Sequence, residues 1–190
     1  MRDGGGSPAA LCYREMRREE AERIGELDAV CRIRNVWRRD PATGAYALTA
    51  IDWTDRTLPN GPDWHLDRFR RTLAEGGTAF GCFRGGRLIG YATLNAGVFG
   101  INERYMLLEQ LYISRESRRQ GIGRALIGLC GCRARACGAE KLFVCAGSAE
   151  ETIAFYHALG FRSAVEWNEA LFSEDPNDIQ LELELCAPLP

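Results

Sequence analysis

The run Arg118-Arg119-Gln120-Gly121-Ile122-Gly123, with Arg124 and Ala125 behind it, has the residue types and spacing to hold an anion. An apolar stretch ends at Ile113, a polar turn follows, and a helical pattern opens at once behind the glycines. The first N–H groups of a helix have no intrahelical partners, and that end of the helix carries the positive pole of its dipole; both favour a phosphate. Gly121 and Gly123 lack a Cβ, so the backbone can close around an anion. Arg118, Arg119 and Arg124 add positive potential at the same point. No Gly-Lys-Ser or Gly-Lys-Thr follows, which excludes the nucleotide P-loop. Ala125 and Leu126 stand in the region of the third glycine of a dinucleotide fingerprint, which excludes that as well.

Metal chemistry finds little support. Cys130 and Cys132 fall on the expected helix and point about 200° apart, so they cannot share a tetrahedral zinc. His65 and His157 have no ligand pattern around them. The cysteines, Cys186 included, read as small free hydrophobes. Of the 190 residues, 46% are apolar and 26% charged, the mix of one globular domain. A net charge of −2 gives no reason to expect nucleic acid or an anionic membrane as partner. No apolar run approaches the roughly 18 residues of a membrane span. The start, MRDGGGSPAA, lacks the apolar core of a signal peptide. The expectation is a flexible tail over 1–10, one domain over 11–190, and a cytoplasmic location.

The elements that must position the anion loop read as follows. Tyr13–Met16 predicts a strand and Glu19–Leu27 a helix. Val30–Trp37 and Ala45–Ile51 predict a hairpin around Asp40–Gly44, and Asp52–Pro62 a loop. Asp63 is the expected cap of a helix from Trp64 to Glu75. Thr78–Phe83 and Leu88–Asn95 form the clearest hairpin, turning at Gly85-Gly86. Met106–Ile113 is an apolar strand with Glu109 inside it; Gly121–Cys137 is a helix closed by Gly138; Lys141–Cys145 is a buried strand. Ser148 is the expected cap of a helix reaching Leu159. Ala164–Trp167 and Ile179–Leu185 are the last strands, the second with Gln180, Glu182 and Glu184 facing outward. This order predicts an α/β (α+β) fold with a mixed sheet rather than a doubly wound one.

Arg118-x-x-Gly121-x-Gly123 resembles the pyrophosphate motif of the GNAT superfamily of N-acetyltransferases, and Phe155-Tyr156 before Gly160-Phe161 resembles the end of that family's late helix. The tail Ala170–Ile179 is similar to the ending of a bacterial GNAT subgroup. The resemblance spans about Tyr13 to Leu185. It implies a mostly antiparallel, splayed sheet flanked by helices, with acetyl-CoA as cosubstrate and no metal. Leu111, Tyr112 and Ile113 would pair with the pantetheine arm. Residues 118 to 125 (Arg118, Arg119, Gln120, Gly121, Ile122, Gly123, Arg124, Ala125) would hold the pyrophosphate. Tyr156 would protonate the leaving thiolate. Many relatives have Asn where this chain has Ala149; Ser148 or Thr152 would then supply the cofactor contact.

An amine at neutral pH must lose a proton before it attacks a thioester. Glu109 is the candidate base, on the strand face expected to carry Leu107, Leu111 and Ile113; an arginine-paired structural role is the equal alternative. Glu103 is a second candidate. Tyr46, Asp52, Trp53, Asp55 and Arg56 are the expected acceptor-side residues, where charge and ring faces suit a cationic amine. The implied reaction is direct attack by a primary amine, of a small molecule or a peptide, in a ternary complex. Cys145 raises a covalent route that no His or Asp partner supports. A non-catalytic acyl-CoA-binding module is the other class of reading. Homodimers are common in the family.

Overall fold

The computed structural model describes residues 9–185. Residues 1–8 of the expected tail, and Cys186, lie outside the described residues. The strands are β1 (Leu11–Met16), β2 (Cys31–Arg39), β3 (Tyr46–Asp55), β4 (Thr78–Arg84), β5 (Arg87–Leu94), β6 (Tyr105–Ile113), β7 (Lys141–Ala146), β8 (Arg162–Ser163) and β9 (Ile179–Glu184). The α-helices are α1 (Pro62–Ala74), α2 (Ile122–Ala136), α3 (Glu150–Ala158) and α4 (Glu169–Glu174). A 3₁₀ helix over Arg18–Glu26 replaces the expected first α-helix. Seven strands form one sheet in the order β1-β4-β5-β6-β7-β9-β8, and β2 and β3 form a separate hairpin. Neighbours in the large sheet run antiparallel except β6 and β7, which are parallel. This is the mixed α/β sheet that the element order predicts, in the mostly antiparallel, splayed form that the family resemblance implies.

Two apolar layers sandwich the sheet. One face of β5 to β9 packs against α2 and α3 through Ile122, Leu126, Ile127, Cys130, Ile153 and Tyr156. The opposite face of β4 and β5 packs against the 3₁₀ helix and α1 through Ala21, Ile24 and Phe69. The β4–β5 hairpin turns through Gly85 and Gly86 at φ 56° and 81°, a conformation that strains residues with a Cβ. No helix among the described residues is long and apolar enough to cross a membrane.

Several local expectations are corrected. Helix α1 starts at Pro62, whose fixed φ suits the first helical position and which needs no N–H there; Asp63 sits in the first turn and is not the cap. Ser148 does not cap α3: Ala149 holds that position, without a side-chain bond. Strand β3 runs on to Asp55, so part of the expected loop is strand. The expected strand at Ala164–Trp167 is a loop. Its ladder ends where Ala164 N–H meets Gln180 O, and Val165 N–H then turns to the Glu182 side chain. Asn168 accepts from Leu171 N–H and starts α4, which the sequence pattern did not reveal.

Strand β9 also departs from its alternating pattern. Gln180 and Glu182 are buried, because β8 and the 164–168 loop cover the face expected to be solvated. Glu182 accepts from Tyr105 Oη at 2.5 Å, Lys141 Nζ at 3.0 Å and Val165 N–H at 2.9 Å. Burial alone would raise its carboxyl; these donors outweigh it, and the net direction is downward. Lys141 also meets Glu103 at 2.7 Å and Glu184 at 3.2 Å. A carboxyl held low in the fold contributes stability above its unfolded pKa and loses it as pH falls. Lys141→Met leaves Glu182 buried without its lysine and should cost about 3–5 kcal/mol at pH 7 in urea unfolding. That difference should shrink below about pH 4, where the carboxyls take up protons.

Candidate active site

Strands β6 and β7 pair over only three rungs: Tyr105 with Lys141, Met106 with Leu142, and Leu107 with Phe143. Beyond them Leu111, Tyr112 and Ile113 pair only with β5, on one side, while Val144 to Ala146 pair with β9. The facing edges stand apart as a wedge. At its apex β6 carries a bulge: Thr93 pairs with Gln110 and Leu94 with Leu108, leaving Glu109 as the extra residue. One extra residue inverts the alternation of faces. Leu107 therefore lies with Tyr105 and Phe143 on one face, whereas Leu111 and Ile113 pack against the α2 layer. Glu109 does not share a face with all three, as strict alternation predicts.

The wedge opens toward the start of α2. Gly121 is in the left-handed region at φ 78° and Arg119 at φ 60°, so the chain turns sharply into the helix. The N–H groups of Arg119, Gln120, Gly121, Ile122 and Gly123 meet no acceptor among the described residues. Free amides at a helix start suit an anion. A Cβ on Gly121 would meet nothing within 4 Å, but one on Gly123 would come within 2.9 Å of the Phe155 ring. Gly123 thus serves the approach of α3 to α2 at least as much as an anion. Arg118 is turned inward: its guanidinium bonds Ile113 O at 3.1 Å and Ala29 O at 3.5 Å, tying the loop to the end of β6. The Gln120 side chain bridges Arg84 and Glu116 O. In both residues the side chain braces the loop whose backbone faces outward.

Chemical groups gather along the wedge. Tyr156, buried on α3, stacks edge-on between Phe155 and Phe161 at 5.2 and 5.0 Å. Burial first, and also the charge of Asp178, push its hydroxyl well up, so it holds its proton at any working pH. Its hydroxyl has no hydrogen-bond partner among the described residues. On the other face Glu109 accepts from Arg68 Nε and, at 2.7 Å, from Asn95 Nδ2, and its side chain is 4% exposed. Arg68 also bonds Glu174 at 2.6 Å and lies over the Trp64 ring. Behind this cluster His65 donates from Nε2 to Pro59 O at 2.7 Å; Gln110 Nε2 lies 3.0 Å from its Nδ1, and the ring packs edge-on against Tyr112. Burial lowers the His65 pKa, so the ring stays neutral and acts as a wedge behind β6. Asp178, at the start of β9, is half-buried and pushed up to about 7 by burial and then by Asp175.

Arg68, Asn95, His65 and Asp178 were not legible as site residues. Nothing in their local sequence marks them; only the fold brings α1, β5 and the approach to β9 beside β6. Glu103 lies at the closed end of the wedge, bound to Lys141, and is removed from the open part. Ser148 is buried under the hairpin, its carbonyl taking Trp37 N–H at 2.8 Å and its hydroxyl the Arg38 guanidinium at 3.2 Å. Thr152 is half-buried one turn into α3. Of the hairpin residues, Tyr46 and Trp53 are exposed on β3, and Asp52 is paired with Arg32 at 2.8 Å. Trp53 gives its indole N–H to Asp55 at 2.6 Å, and the charge of Asp55 reaches Tyr112. Among the described residues no cluster of His, Cys, Asp and Glu could hold a metal ion.

The sheet is thus split between two parallel strands, with free amides at the start of the helix that follows the first of them. Residues 45–161 match the model of the Acetyltransferase (GNAT) family, and the chain belongs to that family. No curated protein sequence matches the chain. Solved structures share the fold. A nourseothricin acetyltransferase is 22% identical, with 95% of this chain and 99% of that one covered and a TM-score of 0.69. The PaiA N-acetyltransferase of Thermoplasma acidophilum, in complex with coenzyme A, is 17% identical over 92% and 99% of the two chains, with a TM-score of 0.59. AtaTR bound with acetyl-CoA is 21% identical over 92% and 93%, with a TM-score of 0.56.

Cys145 lies in the wedge, and burial, then the charges of Asp178, Glu109 and Glu174, push its thiol up to about 12. A thiol so held is a poor nucleophile near neutrality. At pH 8 iodoacetamide should label exposed Cys132 and Cys137 while leaving Cys145 unmodified by peptide mass spectrometry. Labelling of Cys145 at an equal rate would restore the covalent route.

Proposed function

We propose that the chain is a single acetyltransferase domain that moves the acetyl group of acetyl-CoA to a primary amine, by direct attack in a ternary complex. The observation that carries this reading is the open β6–β7 wedge leading to unpaired amides at the start of α2. The amides of residues 119–123 would hold the pyrophosphate, with Arg124 and Ala125 continuing the first turn. Leu111, Tyr112 and Ile113, paired on one side only, would offer their second edge to the pantetheine arm. The solved relatives that hold coenzyme A or acetyl-CoA support this choice of cosubstrate.

Tyr156 would supply the proton that a departing thiolate needs, since its hydroxyl is protonated and has no hydrogen-bond partner among the described residues. Its edge-on neighbours hold the ring in place. The high thiol pKa of Cys145 supports direct attack over a covalent intermediate. On the acceptor side Asp55, Glu174, Asp175 and Asp178 bring negative charge toward the wedge, which suits a cationic amine. The likeness to nourseothricin acetyltransferase places nourseothricin among the amines to test.

Thiol release from acetyl-CoA should be measured over nourseothricin, spermidine, kanamycin, lysine and a glycyl peptide. Release above the hydrolytic background with at least one is expected; coenzyme A binding without transfer to any would favour the non-catalytic module. Tyr156→Phe should lower kcat about a hundredfold while leaving the acetyl-CoA KM unchanged. Gly121→Val places a branched side chain at φ 78° and turns the loop amides; coenzyme A binding by calorimetry should weaken at least about tenfold. Unchanged affinity would remove the anion cup.

A further inference from the structure

The carboxylate best placed to receive a proton in the wedge is not the one that the strand pattern suggests. Each oxygen of Glu109 already accepts from a protein donor, Arg68 Nε or Asn95 Nδ2, so an arriving proton must displace one of them. Asp178 differs. It precedes β9 directly, opposite the end of β7, and a Cβ on Gly147 would lie 3.9 Å from its Oδ1. No donor or cation bonds its carboxylate among the described residues. It lies beside the end of β7, and its charge is felt by Tyr112 of β6, Cys145 of β7 and Tyr156 of α3, the proposed acid.

We infer that Asp178 is the general base that deprotonates the acceptor ammonium, while Glu109 holds Arg68 in place. This inference rests on the transfer reading above. Asp178 takes one proton from R–NH₃⁺. The freed lone pair forms the N–C bond to the acetyl carbon, and the C–S bond breaks with its electron pair going to sulfur. The sulfur takes the Tyr156 proton, Tyr156 recovers one from the nitrogen, and Asp178 releases its proton to solvent. The sum is amide, thiol and one proton.

The surroundings agree. Burial and then Asp175 bring the Asp178 carboxyl to about 7, near working pH, where a base both accepts and releases a proton readily. The groups that feel its charge, Tyr112, Cys145 and Tyr156, are themselves uncharged near neutrality. Arg68 is engaged by Glu109 and Glu174.

Two measurements test this. The first needs no acceptor. A carboxyl raised in the fold from 3.8 to about 7 makes the wild type less stable as pH rises between those values, an effect that Asp178→Asn removes. The Tm of the variant should exceed that of wild type by a margin that grows from pH 4 to pH 8; a constant margin overturns the inference. The second uses the fastest acceptor of the amine panel. Asp178→Asn should lower kcat/KM about a hundredfold or more and abolish the rising limb near pH 7, with coenzyme A affinity unchanged; Asp178→Glu should recover part of the rate. A wild-type profile in Asp178→Asn, or loss of the limb in Glu109→Gln instead, overturns it. If no amine is acetylated by wild type, the transfer reading falls and this role with it, whereas a silent Asp178→Asn beside an active wild type removes this role alone.

Discussion

Strands β6 and β7 stop pairing after three rungs, and the sheet survives because each has a second partner. β5 holds β6 through Ile113 and β9 holds β7 through Ala146, so the inner edges can part without either strand coming loose. Unpaired peptide groups inside a protein are costly unless something meets them. In the proposed reading, a cosubstrate arm carrying amides of its own would meet that need. The bulge at Glu109 belongs to the same arrangement. It turns β6 at the point where pairing ends, and it inverts which residues face α1 and which face α2.

The wedge carries charge of both signs. Unpaired amides and the positive pole of α2 favour an anion at the helix start. Glu109 at the bulge and Asp178 beside the end of β7 supply negative charge, and Arg68 neutralises part of the first. The titratable groups Tyr112, Cys145 and Tyr156 are all pushed upward, by burial first, and keep their protons. The paired carboxylate Glu109 and the unpaired Asp178 lie on opposite walls, and their different partners give them different chemistry.

The apolar framework was legible because period and punctuation are local. The β4–β5 hairpin, β6, α2 and β7 all sit within a residue or two of their expected bounds, since alternation, Gly85-Gly86 and Gly138 mark them directly. Departures occur where a distant element overrides the local pattern. Glu182 reads as a solvated strand residue, yet β8 and the 164–168 loop bury it against Lys141. Ser148 reads as a helix cap, yet the β2–β3 hairpin covers it, with Val36 pairing to Ala149. Gly123 reads as an anion-binding glycine, yet Phe155 fills the space that its missing Cβ leaves.

By itself the sequence determined the loop that turns into α2 and the tyrosine on α3, because a glycine pair at a helix start and an aromatic pair before Gly160-Phe161 are contiguous in the chain. It also placed Glu109 within a strand. Which carboxylate is engaged and which is free was decided only by tertiary structure. Arg68 comes from α1, Asn95 follows β5, and Asp178 precedes β9, and a one-residue bulge chooses the face on which they meet β6. Such pairings depend on sheet order and register, and neither leaves a periodic mark in the segments that it brings together.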